Sequence, residues 1–397
     1  MRLDSRRKQI LAACCGAHAI QDGLGAGLYV LLPILAQAFG LNYAQIGLLR
    51  SVNNGAMTLL EMSSGILSER LGERNLLAFG LICAGAGYAV LAVADGIGLL
   101  AACLFVVGIG GAFQHALSSS VVSGAFEADG RRSALGIYNS SGDAGKLLFT
   151  GLFSLAMGVG MAWQGVVTAY GIAAMIGGLI VFFALFTVAA GGRRTPAGSI
   201  GTGLRIGWGI QDRRGFIGLS VAVFLDTAIQ SGFLTFLAFF IAAKEVPLGL
   251  ATLAVTLTLV GGMLGKAACG FLAERIGTRL AFMLVQGLTA CGIVALLFSE
   301  KTLAFILLPI LGIFLQGSTS ITYGLVGDLV HADRTSRGFA LIYSVSSLSG
   351  LLGPIFFGVL GDRFGIETTM GAMALISLLA VPPILLLRPK TVASAMG

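Results

Sequence analysis

A ten-residue stretch recurs 205 positions further along the chain: Gly65-Ile-Leu-Ser-Glu69-Arg70-Leu-Gly72-Glu-Arg74 is matched by Gly270-Phe-Leu-Ala-Glu274-Arg275-Ile-Gly277-Thr-Arg279. The same offset lays Arg132 to Tyr138 over Arg337 to Tyr343 and Glu61 over Lys266, and Asp22 aligns with Asp226 to within one residue. One match could arise by chance, but several at nearly one offset define two copies of one unit. Glu61 and Lys266 each lie inside a long apolar segment. Charge at that depth in a membrane is costly unless it faces protein or a water-filled cavity.

The unit is built from apolar runs of the length that crosses a bilayer, about 20 residues each. Twelve are placed at 10–38, 44–67, 76–94, 97–122, 133–158, 163–190, 215–243, 248–272, 279–298, 303–327, 337–360 and 368–387. Charged residues make up only 11% of the chain, against about 25% in soluble domains, so a soluble fold of this length could not cover itself. The 59 glycines suit helices that approach closely within a membrane. The expected fold class is therefore an all-α membrane protein. Its twelve transmembrane helices form two pseudo-symmetric six-helix bundles, 1–190 and 215–397, joined by a cytoplasmic linker at 191–214. Part of that linker, Leu204 to Ile210, has the pattern of a short interfacial helix but is too brief to demand one.

Orientation follows from Arg and Lys. Nineteen of the 25 fall in segments that are cytoplasmic if both termini are inside. Three (Lys244, Lys301, Arg363) fall in outer loops and three (Arg50, Lys146, Lys266) within spans. The expected location is a bacterial cytoplasmic (inner) membrane, multi-pass, with both termini cytoplasmic. The basic N-terminus ahead of a long apolar run containing His18, Gln21 and Asp22 reads as an uncleaved first span. The net charge of +7 is explained by topology, and no nucleic-acid partner is expected. The six cysteines show no metal or redox spacing, and no phosphate-binding G-x-x-x-x-G-K-[S/T] loop is present. No cofactor, metal or enzymatic role is expected.

The repeated loop has a physical reading. Gly65 and Gly270 would allow close helix contact, Gly72 and Gly277 a tight reversal. Glu69 and Glu274 would pair with arginines or a neighbouring helix N-terminus. With Arg70, Arg74, Arg275, Arg279, Arg132 and Arg337 they are candidate gating residues; a merely topology-fixing loop is the alternative. The pattern G-x-L-x-[D/E]-R-x-G-x-R, present in both halves, resembles the signature of the major facilitator superfamily across essentially the whole chain. Glu stands at 69 and 274 where Asp is more usual. The resemblance implies two six-helix bundles around a central cavity that rock between inward-open and outward-open states. His18-Ala-Ile-Gln21-Asp22, then Pro33 and Tyr43-Ala-Gln45-Ile-Gly47, is similar to the fosmidomycin-resistance branch of bacterial efflux proteins. The fifth span departs from drug antiporters: it reads Gly142-Asp143-Ala144-Gly145-Lys146 without proline, and Gly353-Pro354 occurs in the eleventh instead.

The intramembrane polar residues supply the candidate site. His18 and Asp22, four apart, share a helix face and could bind and release a proton, since histidine titrates near physiological pH; Gln21 would add a neutral hydrogen bond. Asp143 and Lys146 can pair within their helix, with Lys146 the strongest candidate for an anionic group. Glu61 and Lys266 would act as a gate or as ligands. Candidate proton carriers are His18, Asp22, Glu61, Asp143 and Asp226. Candidate substrate contacts are Lys146, Lys266, His115, Gln114, Asn54, Tyr138, Asn139, Gln230, Gln316 and Tyr323. Arg50, near the outer end of its span, would snorkel to the interface. Together these point to a proton-coupled secondary transporter, sufficient as a monomer in lipid, of a small polar compound, anionic or zwitterionic; export is the direction that the first-span resemblance implies. Proton-driven uptake is the alternative within transport, and a non-transporting membrane sensor or assembly factor the alternative outside it.

Overall fold

The computed structural model describes residues 4–126, 128–192, 209–331 and 335–387, and they are almost entirely helical. In chain order the helices are α1 (Ser5–Phe39), α2 (Tyr43–Leu71), α3 (Glu73–Leu91), α4 (Ile97–Gly111), α5 (His115–Ala125), α6 (Ala128–Gly158), α7 (Trp163–Thr187) and α8 (Arg213–Ala243). They continue as α9 (Leu248–Ala251), α10 (Leu253–Ile276), α11 (Thr278–Phe298), α12 (Lys301–Leu329), α13 (Thr335–Phe364), α14 (Ile366–Leu379) and α15 (Val381–Ile384). Among the described residues, ten helical segments are long and apolar enough to cross a membrane, taking α4–α5, α9–α10 and α14–α15 each as one. With 29 and 31 residues, α2 and α6 also have the length. Polar and charged residues, among them Arg50, Asn53, Asn54 and Glu61 on α2 and Asn139, Asp143 and Lys146 on α6, lower their hydropathy. With these two, the segments fall where the twelve spans were expected.

Local chemistry sets the boundaries. Asn42 caps α2: its Oδ1 accepts from the Gln45 N–H at 2.8 Å, and Gln45 Oε1 accepts from the Asn42 N–H at 3.0 Å, a reciprocal capping box. Gly72 and Gly277 take φ of +87° and +86°, which side chains rarely adopt; this is how the two copies of the loop turn within a residue or two. The break between α4 and α5 follows the Gly108-Ile-Gly-Gly111 run. There the Ala112 N–H reaches both Gly108 and Ile109 carbonyls, and the following turn leaves His115 at the start of α5. Pro382 and Pro383 interrupt the last span because they lack N–H donors.

The chain divides into two compact units, Met1–Ser199 with Leu237–Thr256, and Ile200–Phe236 with Leu257–Gly397. The first is centred on Ile10, Leu76, Leu81, Phe113, Leu117, Val122 and Tyr138. The second is centred on Phe216, Leu219, Phe282, Val285, Ile321, Val326 and Ile342. Outward-facing apolar side chains form stripes, as at Ile172, Ile176, Leu179, Ile180 and Phe183 on α7, the pattern of a helix against lipid rather than water. Most of the segment suggested as an interfacial helix, 204–208, lies outside the described residues. Its last residue, Ile210, instead pairs in an isolated antiparallel bridge with Val330.

Candidate functional site

The site in the first unit depends on how closely α1 and α6 approach. A Cβ on Gly145 would overlap the Ala19 carbonyl oxygen, and one on Gly142 would lie 2.6 Å from His18 Nε2 and 2.8 Å from Asp22 Oδ2. Only glycine allows the two backbones this near. The approach brings together charges that the sequence keeps far apart: Lys146 Nζ lies 3.0 Å from Asp22 Oδ2 and 3.2 Å from Asp143 Oδ1. The Asp143–Lys146 pair was expected from spacing; the Asp22–Lys146 pair was not. A half-buried ammonium held by two carboxylates avoids the penalty of an unpaired charge withdrawn from water.

Two imidazoles complete the cluster. His18 Nδ1 lies 2.8 Å from the Tyr138 carbonyl oxygen, which can only accept, so Nδ1 carries the proton. The ring stacks on Tyr138 at 4.2 Å and turns Nε2 to Asp22 Oδ2 at 3.4 Å. From α5, His115 Nε2 lies 3.5 Å from Asp22 Oδ1. Both distances exceed an ordinary hydrogen bond, so these contacts are electrostatic. The His115 side chain is 43% exposed, against 10% for Asp22, so His115 forms the accessible edge. The sequence offered no metal-ligand spacing, but the fold gathers three groups of ligand type: the ligand atoms of His18, Asp22 and His115 lie within 4.8 Å of one another. Spacing could not show it, because His115 comes from another helix far along the chain.

The second unit carries a counterpart with different chemistry. Asp226 on α8 is 5% exposed. Its Oδ1 accepts from Gln286 Nε2 at 2.6 Å, its Oδ2 from Gln230 Nε2 at 2.9 Å, and both oxygens lie 2.9 Å from Ser318 Oγ. Ser377 Oγ in turn donates to Gln286 Oε1 at 2.6 Å. Gln286 and Ser318 were missed from sequence. A signal existed for Gln286: it is the one amide in the apolar run of α11.

The remaining candidates are dispersed. Tyr138 is buried beneath His18. Gln114 donates to Ser118 Oγ at 3.0 Å. Asn139 is exposed on α6, and Asn54 is half-buried on α2. In the second unit, Lys266 is half-buried on α10, Gln316 packs beside Gly262, and Tyr323 meets the rings of Phe339 and Tyr343. Glu61, half-buried on α2, belongs to the first unit. Gln21 turns its amide toward Gly111 on α4 rather than to the cluster. Arg50 does not snorkel. It is 7% exposed, with Nη2 donating to Tyr29 Oη at 2.8 Å and the guanidinium 4.2 Å over the same ring.

The gating candidates divide. Gly72 and Gly277 make the expected turns, but a Cβ on Gly65 would meet nothing within 4 Å and one on Gly270 only Ser320 at 3.8 Å. In this structure neither makes a close helix contact among the described residues. Glu69, Arg70, Glu274 and Arg275 are exposed and Arg279 is half-buried; the side chains of Arg132 and Arg337 lie outside the described residues. The buried acid of the first loop is Glu73 instead, in the first turn of α3, accepting from Ser120 Oγ at 2.5 Å. Arg74 ties that loop to the end of α7: its N–H donates to Gly191 O at 2.8 Å, and its guanidinium lies 4.9 Å over Phe186.

Comparison with known proteins places this architecture. The sequence profile of the Major Facilitator Superfamily matches residues 14–251 and 219–395. The uncharacterized MFS-type transporter YfnC of Bacillus subtilis is 24% identical over 93% of this chain and 90% of its own length. A probable 4-methylmuconolactone transporter of Cupriavidus pinatubonensis is also 24% identical, over 94% and 88%. Among solved structures, a bacterial homolog of the human lysosomal transporter Spinster superimposes with a TM-score of 0.80 over 97% of both chains at 17% identity. The nucleoside transporter NupG gives 0.80 over 96% of this chain and 100% of its own at 14% identity.

Proposed function

This chain belongs to the Major Facilitator Superfamily, and on that premise we propose that it is a proton-coupled secondary transporter of a small anionic or zwitterionic compound. It would work by alternating access in a bacterial inner membrane with both termini cytoplasmic. The observation that carries the reading is Lys146, held between Asp22 and Asp143. With neutral imidazoles, one ammonium and two carboxylates leave one surplus negative charge.

That count links proton and substrate. The two carboxylates are no further apart than their two contacts to one Nζ allow. An anion that takes Lys146 leaves them without their shared cation, and neighbouring like charges resist joint ionisation. A proton on one of the carboxylates then travels with the anion, which is symport, and the inward proton gradient would drive uptake. This favours uptake over the export suggested by the first-span resemblance. Export is the second reading, and the same surplus charge supports it: either a proton or the ammonium end of a zwitterion can neutralise it, so the two compete for one charge and are bound in alternation, which is antiport. Glu61 and Lys266 would serve as gate or secondary ligands.

The test is flux in reconstituted vesicles, with a panel of labelled anions and zwitterions that includes 4-methylmuconolactone. Symport predicts accumulation under an inward proton gradient, alkalinisation of the medium, and loss of both in Lys146→Gln. Accumulation that persists unchanged with the gradient collapsed and downhill flux excluded refutes the coupling. Substrate-driven acidification of the medium selects antiport.

A further inference from the structure

We infer that His18, Asp22 and His115 form a binding site for a divalent transition-metal ion of the zinc class, separate from any role of Lys146 toward an anion.

The argument begins with ligand geometry. Zinc–nitrogen and zinc–oxygen bonds are about 2.0–2.1 Å, so neighbouring ligand atoms around a tetrahedral ion sit about 3.3 Å apart. His18 Nε2 lies 3.4 Å from Asp22 Oδ2, and His115 Nε2 lies 3.5 Å from Asp22 Oδ1. These are too long for good hydrogen bonds and close to the edges of a coordination tetrahedron. The three ligand atoms lie within 4.8 Å of one another, so only small side-chain adjustments are needed.

The second observation concerns the surroundings of His18. Its Nδ1–H is committed to the Tyr138 carbonyl at 2.8 Å, so in the neutral ring Nε2 presents a lone pair toward a carboxylate. Two electron-rich atoms facing each other favour a cation at that edge, which a metal ion or a proton can supply. A backbone carbonyl that fixes the tautomer of a ligating histidine is the usual outer-shell partner in metal sites. Stacking on Tyr138 at 4.2 Å holds the ring in that orientation. His115, on the accessible side, supplies the way in and leaves a fourth position for water or a substrate atom.

Ligand type selects the ion. Two imidazoles and one carboxylate suit zinc, cobalt or nickel rather than magnesium or calcium, which prefer all-oxygen sets. Lys146 is the resident competitor, with Nζ 3.0 Å from Asp22 Oδ2. Asp143, already 3.2 Å from the same Nζ, can retain the ammonium when a metal takes Asp22.

The competition makes the test specific. Zn2+ binding to tag-free purified protein is measured at fixed pH by titration against a chromophoric chelator. Wild-type protein should bind one equivalent. His115→Gln should weaken binding at least tenfold, while His331→Asn, the histidine outside the cluster, should leave it unchanged. Lys146→Gln should tighten binding several-fold, because it removes the competing charge; a nonspecific histidine site would not respond. X-ray absorption of the wild-type complex should count two imidazole ligands, and this readout needs no variant. Binding below one equivalent, fewer than two imidazoles, indifference to His115→Gln, or weaker binding in Lys146→Gln each overturns the inference.

Discussion

Replacing Gly145 with alanine tests whether the approach of α1 and α6 sets the charge cluster. The new Cβ would overlap the Ala19 carbonyl oxygen, where a carbon–oxygen contact needs about 3.3 Å. Because the obstacle is backbone, no rotamer change relieves it, and a parting of the helices by about 1 Å is the least adjustment that restores such a contact. Overpacking of this kind costs about 1–3 kcal/mol, of which alanine's better helix propensity offsets about 0.8–1 kcal/mol. Moving Lys146 Nζ from 3.0 Å to about 4 Å from Asp22 weakens their attraction by about 1.4 kcal/mol at an effective dielectric of about 20. Gly136→Ala on the same helix is the standard, because a Cβ there meets nothing within 4 Å and the propensity gain is kept. Thermal unfolding of purified protein, followed by intrinsic fluorescence, should fall for Gly145→Ala by about 2–4 °C per kcal/mol and hold or rise for Gly136→Ala. Substrate flux should fall for Gly145→Ala alone. If Gly145→Ala matches wild type in both melting and flux, or Gly136→Ala loses as much, close approach is not what positions Lys146.

Arg50→Met should destabilise the first unit by about 1.5–3 kcal/mol, the scale of a charge-assisted hydrogen bond, seen as a lower melting temperature; an unchanged melt would restore the snorkelling picture. Gly72→Ala and Gly277→Ala should each cost about 1–3 kcal/mol, because φ near +87° and +86° strains any side chain. Equal melting of variant and wild type would show that the loops relax freely. Asp226→Asn turns an amide N–H₂ toward a glutamine or serine donor, so it should destabilise the second unit by about 1–3 kcal/mol. Gln286→Leu, which deletes the opposing donor, should partly rescue the Asn variant in a double-mutant cycle; additive losses would argue against the network.

The spans were legible because apolar length acts along the chain, and the internal offset of 205 residues pointed to a doubled unit. Pairs within one helix were legible too: Asp143 with Lys146, and His18 with Asp22, follow from helical spacing. What crosses between helices was not. Nothing in the sequence says that Gly142 and Gly145 face α1, so the Asp22–Lys146 contact and the approach of His115 were invisible. Arg50 was misread for a related reason. Snorkelling assumes a lipid-facing side chain, and the partner that holds it inside, Tyr29, lies on a different helix. Gly65 and Gly270 show the converse limit: a small residue at a helix end permits close contact without producing it.

The fixed tautomer of His18 has a practical consequence. The protein has three histidines. His18 is tied to the Tyr138 carbonyl, His115 edges the same carboxylate, and His331 Nδ1 lies 2.9 Å from Gln211 Nε2 in the other unit. Labelling the imidazoles with nitrogen-15 therefore yields a spectrum of six ring resonances at most. His18 Nδ1 should remain a protonated nitrogen throughout, while its Nε2 changes character with whatever cation it faces. That makes His18 Nε2 an atomic indicator already in place, able to tell a proton from a metal ion without any added probe, with His331, outside the cluster, as the comparison when metal is added at fixed pH.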